Sequence, residues 1–371
     1  MKLDIAVLSG DGIGPEVTAQ AVKVLEAIAH RFDHVFTFKE ALIGGVAIDQ
    51  TGNPLPDETL QICLNADATL FGCIGTPTYD HNPTAVIRPE KGLLKLRKEL
   101  GLYANIRPVI AYENLINKSP LKREVIKGTD ILIYRELSSG IYYGEKKVNE
   151  DATKASDLCE YSRAEIERVA HLAFKAAQKR RKKLTLVDKA NILETSRLWR
   201  KVVKEISHDY KDVTLNLLYV DNTAVQIIVN PRQFDVILTE NMFGNIISDE
   251  ACVIVGSIGL LASASIGDTN CMFEPIHGSY SQATNKGIAN PIASILSAAM
   301  LLEHFGLIKE AYAIKIAINK SLELKLTTPD LNPNNPLSTQ KVGDFIYDYI
   351  LNPEDSNINF ENLHLGQSTI I

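Results

Sequence analysis

Between residues 5 and 71 the chain alternates short β-prone runs with amphipathic stretches, and this alternation is what most constrains its fold. Residues 5–8, 35–39 and 68–71 read as strands, and residues 16–29 and 56–65 as helices. Strands and helices taking turns in this way argue for an α/β architecture, a sheet with helices on its faces. Pro15 fits the first helical turn, where no amide donor is required. Further on, residues 131–135, 184–187 and 236–238 read as strands. Residues 163–183, 195–207, 241–255, 291–305 and 310–324 read as helices. The stretch 75–89, with three prolines, is expected to be a long functional loop, and 138–151 is polar, Gly-containing and compatible with a hairpin. No internal repeat or low-complexity segment interrupts the pattern, and the polar, Asn-rich tail from about 351 is expected to be peripheral.

A length of 371 residues allows two domains, or one large α/β domain with a bulky insertion. Hydrophobic residues at 45% and charged residues at 23% describe an ordinary globular protein. The net charge of −6 leaves no basic field to recruit nucleic acid or anionic membrane. A site for an acidic small molecule must then be built from local arginines. The opening residues lack the apolar core and cleavage site of a secretory signal, and no apolar run reaches membrane-spanning length. Five scattered cysteines (63, 73, 159, 252 and 271) without a CxxC pair read as reduced thiols of a cytoplasmic protein. The basic run 178–183 reads as a solvated helix C-terminus, with a nucleic-acid patch as the alternative.

Several segments could carry chemistry. Gly10-Asp-Gly12-Ile-Gly14-Pro15 sits where a dinucleotide fingerprint would sit, but Pro15 breaks the G-x-G-x-x-G pattern, and Glu40 is discounted as a ribose-binding acid with it. In Arg88-Pro-Glu-Lys-Gly-Leu-Leu-Lys-Leu-Arg97, residues Glu90, Leu93, Leu94 and Arg97 share one helical stripe, with Lys91, Lys95 and Lys98 off it. Arg107 and Arg135 end two further apolar runs. Guanidinium forks suit carboxylates, and the two leucines add an aliphatic contact, which points to a branched di-acid; a snorkelling arginine on an amphipathic helix is the alternative. Asn245 and Asp249 lie one helical turn apart and, with Asp221, offer oxygen ligands to Mg²⁺ or Mn²⁺; capping and surface solvation explain them equally. Lys189, at the end of a strand, could act as a base, and Tyr142 as a proton donor or a packing residue. The polar loop from Glu274 through His277 to Asn290 could hold phosphates on its amides.

Taken together, these motifs resemble the isocitrate/isopropylmalate dehydrogenase family of β-decarboxylating dehydrogenases, in order from Ile5 to about Tyr349. Arg-Pro-Glu-x-Gly-Leu-Leu-x-Leu-Arg is particular to the isopropylmalate branch, whereas Asn-x-Phe-Gly and His-Gly-Ser occur family-wide. The resemblance implies a two-domain fold with a mixed central sheet flanked by helices and a non-Rossmann cofactor site. It implies a large cofactor-binding domain of residues 1–102 and 256–371, and a small domain of 103–255 with substrate and metal residues and the dimer interface. The implied reaction is oxidative decarboxylation of 3-isopropylmalate to 4-methyl-2-oxopentanoate with reduction of NAD, in leucine biosynthesis. D-malate, isocitrate and homoisocitrate are the alternative substrates, and a catalytically silent regulatory subunit is the alternative role.

By the same resemblance Arg97, Arg107 and Arg135 would clamp the malate carboxylates, with Leu93 and Leu94 facing the isopropyl group. Glu90 would lie between substrate and nicotinamide. Tyr142 would protonate the enol, Lys189 would help take the hydroxyl proton, and Asp221 would touch both substrate and metal. The metal ligands would be Asp221, Asn245 and Asp249. Lys189 and Asp221 would reach in from a partner subunit, so a homodimer is implied. His277, Gly278, Ser279, Tyr280, Gln282 and Asn290 would hold the cofactor. Four positions depart from the family pattern: Asn245 replaces an aspartate, Gln282 replaces an aspartate common on the cofactor loop, and Ser139 and Asn285 replace glycines.

Overall fold

The computed structural model describes residues 1–80 and 87–352, so part of the expected 75–89 loop and the tail beyond 352 lie outside the described residues. Its strands are β1 (Lys2–Gly10), β2 (Val35–Glu40), β3 (Ala68–Cys73), β4 (Ala104–Ile110), β5 (Asp130–Glu136) and β6 (Lys146–Val148). They continue with β7 (Ala155–Asp157), β8 (Lys183–Asp188), β9 (Thr214–Tyr219), β10 (Val236–Thr239), β11 (Ala262–Ile266) and β12 (Cys271–Pro275). Among the described residues the chain divides into two compact units, 1–101 with 257–352, and Leu102–Gly256.

The first unit orders its strands β2-β1-β3-β12-β11. β1 runs parallel to β2 and β3, β3 runs parallel to β12, and β11 is antiparallel to β12, so this part of the sheet is mixed. Every residue of β3 is buried, as a strand covered on both faces must be. The Gly14–Phe32 helix carries Pro15 in its first turn and buries Val17, Ala21, Val24, Leu25 and Ile28 on one stripe. The Ile292–His304 helix is buried almost all round, so its sequence shows an apolar block more than a stripe.

The second unit orders its strands β4-β5-β10-β8-β9. β4 and β5 are antiparallel, whereas β10 runs parallel to β5 and β8, and β8 to β9. Trp199 is fully buried, and Tyr161 meets it edge-on with ring centres 5.6 Å apart. A capping box between Ser162 and Glu165 starts the Arg163–Lys179 helix. That helix ends earlier than its periodicity suggests, because Arg180 leaves the solvated run. Its Nε donates to Asp235 at 2.9 Å, Nη2 lies 2.8 Å from Asp130, and the side chain is buried. β6 and β7 form the expected hairpin, displaced toward its C-terminal side and extending to Asp157.

β4, β9, β11 and β12 are absent from the periodicity reading for physical reasons. β4 buries the polar Asn105 and Arg107 and contains Pro108, and β11 is the small-residue run Ala-Ser-Ala-Ser-Ile. All five cysteines are free, and among the described residues no helix is long and apolar enough to cross a membrane.

Candidate active site

The second unit gathers two expected arginines around one amide. Arg107 projects from β4 and Arg135 from the end of β5, both nearly buried. Arg135 Nη1 donates to Asn245 Oδ1 at 2.7 Å, and Arg107 Nη2 donates to the same oxygen at 3.3 Å. Asn245 Nδ2 in turn donates to Asp249 Oδ2 at 3.3 Å, while Arg107 Nη1 donates to Asp249 Oδ1 at 3.2 Å. The surrounding charges fix this amide orientation, since its oxygen faces guanidiniums and its nitrogen a carboxylate. Asp249 stays half-exposed beside the cluster.

Both arginines are braced from behind. Arg135 Nε and Nη2 donate to Asn241 Oδ1, and Arg107 Nε donates to Asn105 Oδ1 at 2.7 Å. Tyr142 ends the short Gly140–Tyr142 turn, with the Arg135 guanidinium 5.7 Å from its ring centre. Lys146 Nζ pins that turn by donating to the carbonyls of Ile141, Tyr142 and Gly144. Gly140 has φ +76°, and a Cβ there would collide with the Tyr161 ring, so the residue that must be glycine still is. Ser139 is extended at φ −139° and needs no such freedom.

Lys189 and Asp221 form a separate pair in the same unit, Nζ to Oδ1 at 2.6 Å. The ammonium holds the Asp221 carboxyl below its ordinary range. Asp221, Asp249 and the Asn245 carbonyl are hard oxygen donors and fit Mg²⁺ or Mn²⁺ in kind. Among the described residues, no three acidic, histidine or cysteine side chains of one chain come together to hold a metal.

In the first unit, the Pro89–Glu99 helix buries Pro89, Gly92 and Leu96. The buried face is therefore not the Glu90–Leu93–Leu94–Arg97 stripe. Glu90 is exposed, and Leu93 and Leu94 are left half-exposed. Arg97 Nη2 donates to Glu274 Oε1 at 2.7 Å, both side chains nearly buried, while Arg97 Nε is buried without a partner among the described residues. Arg97 thus meets a carboxylate of its own unit, with Leu93 and Leu94 one helical turn before it.

The Gly10–Pro15 turn proves to be a joint. The Asp11 carboxylate accepts from the amides of Gly45, Val46 and Gly75 at 2.9–3.0 Å. Ile13 N donates to Ser279 O at 2.9 Å, and a Cβ on Gly12 (φ +59°) would collide with that carbonyl. Its glycines let two loops approach each other, and the Asp11 carboxylate ties their amides together. Glu40 stands exposed at the end of edge strand β2.

A half-open cavity of about 360 Å³ lies beside this joint, walled by Ile13, Ile258 and Ile288 and edged by His277, Asn290 and Asp330. Gly278 and Tyr280 also line it. His277 Nδ1 is 3.0 Å from Gly278 O, while Nε2 is buried and unpartnered. Burial holds the imidazole below its usual pKa, so it is neutral at pH 7. Apolar walls with a few polar edges fit a flat heteroaromatic group such as adenine. Ser279 instead serves the joint, and Gln282 is exposed outside the lining. Asn285 has φ +60°, a conformation asparagine tolerates in place of glycine. Ile13, Ile258, Ile288 and Asp330 escaped sequence reasoning because three isoleucines read as core and the aspartate lies in a loop without a motif.

Residues 4–346 match the family described as isocitrate/isopropylmalate dehydrogenase. The chain belongs to that family. A 3-isopropylmalate dehydrogenase from Bacteroides fragilis is 49% identical over 94% of this chain and 99% of the relative. One from Aquifex aeolicus is 53% identical over 89% of this chain and 92% of the relative. Among solved structures, isocitrate dehydrogenase from Methylococcus capsulatus superposes with a TM-score of 0.85 at 34% identity, covering 94% of this chain and 99% of that one.

Proposed function

We propose that this chain is an NAD-dependent enzyme of leucine biosynthesis that oxidises and decarboxylates 3-isopropylmalate to 4-methyl-2-oxopentanoate. The half-exposed Leu93–Leu94 pair beside Arg97 carries the choice of substrate, because it offers a branched aliphatic group a contact and an adjacent carboxylate a fork. Isocitrate would bring a third carboxylate against leucine side chains, where nothing pairs it. D-malate would leave the leucines uncovered and forfeit roughly 1–3 kcal/mol per missing methylene-sized group.

The residues divide the work by chemistry. Arg97, Arg107 and Arg135 bind carboxylates and orient the acid, which confers most of the proximity advantage. Lys189 takes the C2 hydroxyl proton as the neutral amine, once the ammonium paired with Asp221 has released a proton to solvent. Tyr142, held by Lys146 beneath its backbone, delivers a proton to carbon after carbon dioxide leaves. Each positioned acid or base contributes roughly 10²–10⁴ in rate. Asp221 and Asp249 would hold Mg²⁺ or Mn²⁺, with Asn245 adding its carbonyl only once the amide turns away from Arg107 and Arg135; the cation supplies Lewis-acid stabilisation of negative charge at the C2 oxygen when bound. The first unit would bind NAD, with His277, Gly278, Tyr280 and Asn290 holding its adenosine half, Ser279 and Gln282 in the same loop, and Glu90 toward the nicotinamide. NAD supplies the two-electron acceptor.

The working form in this reading is a homodimer in the cytoplasm, with Lys189 and Asp221 serving the partner's site. The second unit supports it by exposing Ile192, Val225, Val229 and Ile246, large apolar side chains that an interface would cover. NADH absorbance with Mn²⁺ and each of 3-isopropylmalate, D-malate, isocitrate and homoisocitrate tests the proposal. The highest kcat/KM belongs to 3-isopropylmalate; activity on none of the four would leave a silent subunit.

A further inference from the structure

The second unit buries a carboxyl for which the chemistry above has no use. Glu240 directly precedes the Asn241–Val255 helix and is 3% exposed. Its side chain accepts a hydrogen bond from Ser196 Oγ, itself fully buried. Ser196 Oγ in turn accepts from the backbone N–H of Lys189 at 3.0 Å. A single chain of bonds therefore runs from the Lys189 amide through Ser196 to Glu240.

The groups around Glu240 make it an expensive place for an acid. Asp188 is fully buried, accepts from Arg200 at 2.7 and 2.8 Å and from Ala190 N at 3.0 Å, and adds a second carboxylate nearby. Tyr161 and the Cys159 thiol also face it, and Tyr161 OH accepts from Asn241 N. Burial and the Asp188 charge push the Glu240 carboxyl up to about 7. An apolar side chain would fill this space at lower cost. What the carboxyl gains is its place at the end of the tether.

Lys189 is the first residue beyond β8, where the strand ladder no longer supplies a partner for its N–H. Its carbonyl closes a turn with the amides of Ile192 and Leu193, each at 3.0 Å. Its ammonium leaves that turn to reach Asp221.

We propose that Glu240, acting through Ser196, is a positioning residue that fixes the Lys189 backbone and so the reach of its ammonium. The inference rests on the reading of Lys189 as the group that takes the hydroxyl proton. Loss of the tether frees the turn, and a displacement of about 1 Å at such a group costs on the order of 10² in rate.

The test compares full-length wild type with S196A, E240L, E240Q and the S196A/E240L double variant. Two quantities are read: hydrogen exchange at the Lys189 amide, and steady-state kinetics with 3-isopropylmalate, NAD and Mn²⁺. S196A and E240L are expected to speed exchange about tenfold. Both should lower kcat by about 10² with KM changed less than about twofold. The double variant should be no worse than either single one, because the two residues act in series. E240Q keeps an acceptor for Ser196 and should restore both readouts. Unchanged exchange, additive losses in the double variant, or an E240Q as impaired as E240L would overturn the proposal. A wild type that turns over none of the acids would remove the proposed reaction instead. Exchange then decides the tether alone, and a wild-type rate in both S196A and E240L refutes it.

Discussion

Asn245 Oδ1 lies 2.7 Å from Arg135 Nη1 and 3.3 Å from Arg107 Nη2, so one neutral amide joins the two buried arginines of the second unit. Its nitrogen faces Asp249 at 3.3 Å. A divalent cation beside Asp249 would meet an N–H on that side, and the amide oxygen is already shared by two cations. Asn245→Asp replaces the N–H by an oxygen and adds a negative charge. Mn²⁺ affinity should rise by about tenfold or more, measured by calorimetry on protein without substrate. An unchanged affinity would mean that position 245 does not contribute to the metal site.

Arg97 and Glu274 are nearly buried, so removing one partner strands the other. Arg97→Met should lower unfolding free energy by roughly 3 kcal/mol in urea denaturation. It should also cut kcat/KM for the acid through loss of a charged hydrogen bond. Replacing both, as in Arg97→Met with Glu274→Leu, should recover most of the stability and none of the activity. Full recovery of activity would show that the guanidinium serves only Glu274.

Glu240 sets a pH dependence of stability. Its carboxyl is raised from 4.5 to about 7 in the folded chain, so the fold binds that proton more tightly than the unfolded chain does. The contribution is whole below pH 4.5 and is lost as pH rises through 7. Glu240→Gln cannot ionise. Its stability relative to wild type should therefore improve between pH 5 and pH 8, by on the order of 2 kcal/mol. Parallel curves for the two proteins would place the titration elsewhere.

Much of this was legible in the residues themselves, and what was not has physical causes. The Asn241–Val255 helix ends at Gly256 with φ +85°, and its sequence limits match because apolar period and cap agree. The Pro89–Glu99 helix was legible as a helix but not in its buried face. Gly92 has no side chain to register on an apolar pattern, yet a Cβ there would crowd the Pro54 backbone. The arginines were legible as cations ending apolar runs, but their shared acceptor Asn245 was not, because pairing across β4, β5 and a helix leaves no local spacing. Asp11 and Glu240 were invisible for the same reason: one sits in a glycine-rich turn and the other before a helix, and both act on distant backbone amides.

The aliphatic preference is the central claim. Leu93 and Leu94 are left half-exposed on a helix whose other face is buried, so truncating them should change substrate choice more than folding. The direct test is kcat/KM for 3-isopropylmalate and for D-malate in wild type, Leu93→Ala and Leu94→Ala. Each truncation should lower the ratio of 3-isopropylmalate to D-malate by roughly 1–3 kcal/mol, about 10–200-fold. A ratio that stays at the wild-type value in both variants, with both proteins folded, would contradict it.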